Sequence, residues 1–230
     1  MTTIWLIRHG ESESNAGLAT GATAHMPLTA QGQAQARALA AAFEPAPDLI
    51  VASSYRRALD TAQPLRDRFP SARFEQWPIH ECATLADARR HNTTPEQRRP
   101  LLAAYWERCD PNYVDGLGAE SFVQLIERAF AFRRRLQQLD DRFVAIIGHG
   151  LFTRTLLWVH LAAPSILDAR QMRAYQSFLS GFSLPNASII EISRNAQRDL
   201  LFGAPSVAHL PEALRPRVQP AGAATRPRED

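Results

Sequence analysis

The sequence predicts an α/β fold around a mostly parallel sheet, on three observations. Ile4-Trp5-Leu6-Ile7 is an unbroken apolar run, which reads as a strand buried on both faces. Asp48–Ala52 reads as a second strand and Phe143–Gly148 as another buried one. Helical sequence follows the later two, and strand alternating with helix is the pattern of a layered α/β domain.

Composition agrees. At 230 residues the chain is long enough for one such domain with a substantial core. Hydrophobic residues make up 45% and charged residues 21%, a soluble globular composition. The formal net charge is only +3 and there is no long basic run, so nucleic-acid binding is not indicated. There is no lysine. That excludes a Schiff-base mechanism and a phosphate-loop lysine, and commits any anion site to forked guanidinium groups. Cys82 and Cys109 are the only cysteines, too few for a disulfide framework. No apolar run reaches membrane-spanning length. Thr3 already enters the first strand, which leaves no room for an apolar leader, so the expected setting is the cytoplasm with no membrane partner.

Taken in order, the first strand runs straight into Arg8-His9-Gly10-Glu11. These residues stand at its carboxyl end, where open α/β sheets hold their ligands. Gly10 is expected to let the backbone turn sharply and approach a bound group closely. A histidine beside a fixed cation suggests chemistry on an anion, with phosphate the common case. Residues 16–26 are small and polar, a loop. Pro27-Leu28-Thr29-Ala30-Gln31-Gly32 opens a helix, with Thr29 as N-cap and alanine-rich sequence to Phe43. Pro45-Ala46-Pro47 ends it. After Asp48–Ala52, a serine-rich cap at Ser53-Ser54 precedes a second helix. Its N-terminus would add a dipole and free N–H groups to an anion site.

Residues 74–81 read as a short extended segment ending in Ile79-His80-Glu81. Residues 86–118 are expected to be a helical insertion, a possible lid, carrying Arg89, Arg90, Arg98, Arg99, Tyr105 and Trp106. Gly118-Ala119-Glu120-Ser121 starts a long helix to about Leu139. The strand Phe143–Gly148 ends in His149-Gly150, and a helix follows from Phe152 to about Leu161. Residues 185–192 read as a late strand. One domain is expected over residues 1–213, with an Ala-, Pro- and Arg-rich disordered tail at 214–230.

Arg8-His9-Gly10-Glu11, with Asn15 shortly after, resembles the signature of the histidine phosphatase superfamily, branch 1, the phosphoglycerate-mutase-like group. Further segments fall in that family's order: Ser53 with Arg57 and Thr61-Ala62, then Glu81, Gly118–Ser121, His149-Gly150 and the late strand. The resemblance spans residue 3 to about residue 193. It implies a three-layer α/β/α sandwich around the mostly parallel sheet. Two positions depart from the pattern. His25 stands where members often carry an aspartate, and Cys82-Ala83-Thr84-Leu85 follows Glu81 where many relatives show a glycine.

On this resemblance His9 is the nucleophile. A neutral imidazole nitrogen can attack phosphorus to give a phosphohistidine, and neighbouring arginines disfavour the imidazolium. Arg8 and Arg57 would hold the non-bridging oxygens. Aligning Ser53 and Thr61-Ala62 selects Arg57 and leaves Arg56 to surface ion pairing. His149, with Gly150 beside it, would be a second cation or donor. Glu81 would protonate the leaving oxygen and then activate water. Asn15 and the loop at Thr20-Gly21 would add neutral donors. Each residue alone has an ordinary structural explanation; the ordered set carries the reading.

His9, His149 and Glu81 could also be drawn as a metal-binding set. Two adjacent arginines would repel a divalent cation, so no metal and no other cofactor is expected. The expected activity is metal-independent hydrolysis of a small phosphorylated substrate. One alternative is a phosphoglycerate mutase. The stretch rich in Arg, His, Tyr and Gly that follows a mutase's glutamate is not visible after Glu81, and there is no substrate-gripping lysine. The other alternative is a non-enzymatic phosphate-binding scaffold. The sequence carries no signal for oligomeric state.

Overall fold

The computed structural model describes residues 1–215. Six strands form one mixed sheet: β1 (Thr2–Arg8), β2 (Leu49–Ser53), β3 (Arg73–Trp77), β4 (Phe143–Gly148), β5 (Ile189–Arg194) and β6 (Leu200–Phe202), in the order β3-β2-β4-β1-β5-β6. The first four are mutually parallel, whereas β5 runs antiparallel to β1 and β6 antiparallel to β5. Seven α-helices lie among the described residues: α1 (Ala30–Ala41), α2 (Arg56–Arg68), α3 (Asp87–Arg90), α4 (Pro95–Arg108), α5 (Phe122–Gln138), α6 (Gly150–Ala162) and α7 (Ala169–Gly181).

The apolar strands are apolar because both their faces are covered. Successive side chains of a strand point to opposite faces. Leu49 and Val51 of β2, and Val144 and Ile146 of β4, join one core with residues of α5, α6 and α7. Ile50, Ala52, Ala145 and Ile147 join the other, with α1 and α2. β1 divides likewise, with Ile4 and Leu6 on the first side and Ile7 on the second. The result is three layers, helix on sheet on helix.

Register fixes where the chemistry falls. Arg8 pairs with Gly148, Ala52 with Ile147, and Ser53 with Trp77. The four parallel strands therefore end level at one edge of the sheet. The residues that follow them in sequence, His9, Tyr55, Ile79–Glu81 and His149, emerge side by side.

Several local features differ from the sequence expectation. Thr29 caps α1, accepting from the Gly32 amide at 3.0 Å, but the helix ends at Ala41 and Phe43 turns into the core. The serine-rich cap does not form. The N-cap of α2 is Tyr55, without a side-chain bond, because Ser53 is still in β2 and reaches only the Tyr55 amide, at 3.3 Å, among the amides at the helix start. α6 starts at Gly150 with His149 as its N-cap residue. Residues 185–188 form a turn, and β5 begins at Ile189. Helix α7 and strand β6 add to the expected elements.

In the segment 86–118, α3 buries no residue and α4 buries only Tyr105. α4 starts with a capping box between Thr94 and Gln97. At the carboxyl end, Leu214 closes a short 3₁₀ turn and its carbonyl accepts from Gln35 Nε2 at 2.9 Å. Residues 216–230 of the expected tail lie outside the described residues. No helix among the described residues is long and apolar enough to cross a membrane.

Candidate active site

His9 is the first residue past β1, yet the ladder still holds it. Its amide donates to the Gly148 carbonyl at 3.0 Å, and its own carbonyl accepts from Ala187 N at 3.2 Å and Asn186 Nδ2 at 3.1 Å. The ring is buried, with Nδ1 2.6 Å from the Gly10 carbonyl oxygen. A carbonyl can only accept, so Nδ1 carries the proton and Nε2 keeps the lone pair. Arg57 Nε donates to that nitrogen at 3.1 Å. Burial first, then the Arg57 and Arg8 charges, holds His9 well below the ordinary histidine range. The imidazole is neutral.

Arg57 lies in the first turn of α2. Its Nη1 donates to the Thr23 carbonyl at 2.9 Å, and its guanidinium sits 5.0 Å from the centre of the Tyr55 ring. Burial lowers its pKa. Arg56, one residue earlier, is exposed and pairs with Asp60 at 3.4 Å. Arg8 donates through Nη1 to the Leu184 carbonyl, while its buried Nε has no partner. Burial pulls Arg8 down to about 10, against the opposing effect of Glu81. Gly150 makes room for this side chain, since a Cβ there would stand 3.0 Å from Arg8 Nε. It does not line the cavity.

His149 is fully buried, its ring centre 5.1 Å from that of His9 and 5.3 Å from that of Tyr55. Its Nε2 lies 2.8 Å from Ser53 Oγ, and its Nδ1 is buried without a partner. It stands against His9 and Tyr55 and is not among the residues lining the cavity. Burial, then Arg57, holds it well below the ordinary range too. Glu81 rests on the start of α6: Oε1 accepts from Phe152 N at 3.0 Å and Cys82 N at 3.2 Å, and Oε2 from Leu151 N at 3.2 Å. The first turn of a helix leaves its amides unpaired and favours an anion.

The other expected residues divide. Asn15 lines the cavity, its Oδ1 taking Ser12 N, Ser12 Oγ and Asn186 Nδ2 at 3.2, 3.0 and 2.9 Å. Thr20 lines it as well, in a backbone bridge with Thr93. Gly21 does not; it borders an adjoining cleft of about 660 Å³ with Tyr55, His25 and His91. The expectation for Gly10 needs correcting. The close approach it permits is to the first turn of α1, where a Cβ would meet the Gly32 carbonyl oxygen at 2.5 Å.

The cavity itself holds about 240 Å³, with Arg8, His9, Arg57 and Glu81 on its wall. Three further residues make contacts that the sequence reading did not assign. Ser53 bonds His149, Asn186 ties the His9 and Gly10 carbonyls to Asn15, and Thr61 Oγ1 receives the Gly10 amide at 3.0 Å. Pro185-Asn186 signals a turn, but nothing local signals that this turn crosses β1. Among the described residues, no group of three or more His, Cys, Asp or Glu side chains is placed to hold a metal ion.

Strand tips that gather a neutral imidazole, two guanidinium groups and a carboxylate around one cavity define an α/β protein equipped for an anionic ligand. The chain belongs to the histidine phosphatase superfamily, branch 1, whose family model matches residues 4–199. A Salmonella typhi protein named adenosylcobalamin/alpha-ribazole phosphatase is 29% identical over 178 residues, covering 70% of this chain and 81% of that one. Among solved structures, the alpha-ribazole phosphatase from Shigella flexneri superposes with a TM-score of 0.67 at 21% identity, covering 89% of this chain and 96% of that one. The phosphoserine phosphatase from Entamoeba histolytica, in complex with 3-phosphoglyceric acid, gives 0.64 at 21% identity, covering 91% and 99%. The likeness to these structures is one of fold.

Proposed function

We propose that the protein is a metal-independent phosphomonoesterase working through a phosphohistidine on His9. One observation carries this reading: the Gly10 carbonyl fixes the Nδ1 proton, which leaves a lone pair on Nε2 beside Arg57. The relatives' names, phosphatases in each case, support hydrolysis; the substrates they name differ. The excess of guanidinium charge at the site argues against a divalent cation there.

In this reading a phosphomonoester enters with its phosphoryl oxygens toward Arg8 and Arg57. Arg57 turns its N–H from His9 to an oxygen and frees the lone pair. Arg8 Nε, buried and unpartnered, gains the acceptor it lacks, a gain because an unmet buried donor is costly, while His149 backs the His9 ring from behind the cavity wall. His9 Nε2 attacks phosphorus in line as the ester P–O bond breaks. Glu81 gives a proton to the departing oxygen. Its Oε2 accepts a single N–H, which leaves a second lone-pair site for that proton. Water then attacks phosphorus, Glu81 takes its proton, and the N–P electron pair returns to His9. The guanidinium groups stabilise charge on the transferring group in both steps.

The test is rapid-quench kinetics with a radiolabelled aryl phosphate in excess chelator. We expect label on the protein that is acid-labile, alkali-stable and located at His9. His9→Ala should remove the label and lower turnover by about 10⁴-fold or more. Undiminished turnover in that variant, or activity lost to chelator and restored by one metal, would overturn the proposal.

A further inference from the structure

Beyond the phosphoryl cup, the same cavity carries cations that hydrolysis of a simple phosphomonoester does not use. Arg90, from α3, and Arg98, from α4, both line it. Leu102 lines it too. Positions 98 and 102 are one turn apart, so α4 turns a single face to the cavity. Arg98 is tied through Nη1 to the Thr93 carbonyl at 2.6 Å and Thr93 Oγ1 at 3.0 Å, and through Nη2 to Ser14 Oγ at 3.3 Å. All three partners are neutral, and Arg98 forms no ion pair among the described residues. Arg90 has a side chain only 13% exposed and a buried Nε without a partner. Its Nη2 pairs with Asp87, which is 67% exposed.

The charges form a row. Burial is the main influence lowering Arg8, Arg57 and Arg98, and neighbouring cations add to it: Arg154 and then Arg57 on Arg8, Arg90 on Arg57, and Arg90 on Arg98. Four arginines thus face one cavity whose single lining carboxylate is Glu81. Like charges held together in a partly desolvated space raise the energy of the empty site, and an anion relieves it. A phosphoryl group engages the two at the floor and leaves Arg90 and Arg98. The cavity, at about 240 Å³, lies below the ~300–1,000 Å³ usual for drug-sized ligands, so the second anion must belong to a small molecule.

We propose that Arg90 and Arg98 form a second anion subsite, and that the substrates are small phosphomonoesters bearing another acidic group, a carboxylate or a second phosphate. The inference rests on the phosphomonoesterase reading for its reaction, but its binding claim stands apart from turnover. Arg98 grips the second group while His9 faces the first, so the subsite positions the ester and selects against neutral leaving groups.

The test compares matched probes. 3-Phosphoglycerate and glycerol 3-phosphate differ by a carboxylate in place of a hydroxymethyl group, and propanediol bisphosphate supplies a second phosphate instead. Phosphate release and calorimetric binding to the His9→Ala protein are measured for each. We expect at least one of the two probes bearing a second acidic group to bind tenfold or more tightly than glycerol 3-phosphate, and to show a matching kcat/KM advantage. Which one wins tells carboxylate from phosphate. Arg98→Gln should raise its KM about tenfold or more, leave kcat within threefold, and change glycerol 3-phosphate by less than twofold. Arg98→Lys should recover part of the loss. Equal binding of all three probes would overturn the subsite. So would Arg98→Gln and Arg98→Lys losing every probe alike, which would mark Arg98 as a structural anchor for Thr93. Failure of the first reading looks different: calorimetry shows the preference, but no probe and no aryl phosphate releases phosphate.

Discussion

The floor and the rim of the cavity are built on different principles. The floor hangs from the sheet: His9 continues the ladder of β1, His149 follows β4, and Glu81 sits on the amides of α6. Its groups are positioned by strand register and helix start, and two of them are buried neutral imidazoles. The rim is supplied by α3 and α4, which bury one residue between them. Its cations are held by side-chain bonds to neighbouring loops. A floor set by backbone geometry cannot shift without disturbing the core. A rim set by a few side chains can be rewritten while the fold stands, so under the proposed function the reaction belongs to the floor and the choice of substrate to the rim.

Variants sharpen that contrast, beginning with the largest effect after loss of His9 itself. Glu81→Gln removes the proton carrier but keeps an oxygen for the α6 amides. It should lower kcat about 10²–10⁴-fold with KM little changed, and quenched samples should show slow turnover of label on His9. Equal kcat in the two proteins would remove Glu81 from the chemistry. Asn186→Ala acts at a distance, because it unties the His9 and Gly10 carbonyls. Buried acceptors left unmet cost about 1–3 kcal/mol, and a displaced nucleophile loses about 10–100-fold in rate. Denaturant titration and steady-state kinetics read the two losses separately.

Acid should strike the floor through its histidines. His9 and His149 are held well below the ordinary histidine value of 6.5 in the folded protein. Below that pH the unfolded chain binds protons that the folded one refuses. Their contribution is therefore present above pH 6.5 and is lost as pH falls below it, by about 1.4 kcal/mol per pH unit for each histidine. Unfolding free energies measured from pH 7.5 to 5 should show that slope, and His149→Gln should remove one histidine's share of it. A pH-independent stability over that range would mean the two rings are not buried and neutral. At the rim, Arg99→Gln breaks only an exposed pair with Glu96. It should move stability by less than about 0.5 kcal/mol and leave activity within twofold; a larger effect would show that the rim's surface charges matter as a group.

The same contrast explains what could be read from the sequence. The three-layer α/β architecture was legible because strands covered on both faces are written as unbroken apolar runs. His9, Arg8 and His149 were legible because each directly follows or ends such a run. Arg57 was separable from Arg56 only through the spacing to Thr61-Ala62, and the two now lie in the cavity and on the surface respectively. The contacts of Asn186 and Ser53 were not legible: their partners His9 and His149 are remote in sequence, and only sheet order brings them together. Gly10 and Gly150 were legible as special positions, but not in their purpose, because the neighbours that demand them, Gly32 and Arg8, approach from other elements. Helix α7 carries a normal amphipathic pattern that the motif-led reading passed over.

The bridge between Thr20 and Thr93, with the added bond from Asn92 N to the Thr20 carbonyl at 2.8 Å, clasps the loop that follows β1 to the segment that follows Glu81. Two stretches made far apart along the chain thus share one hinge of the doorway. Lengthening either to admit a bulkier guest would drag the other with it, so new tastes in substrate should arise through paired changes at both ends of that clasp.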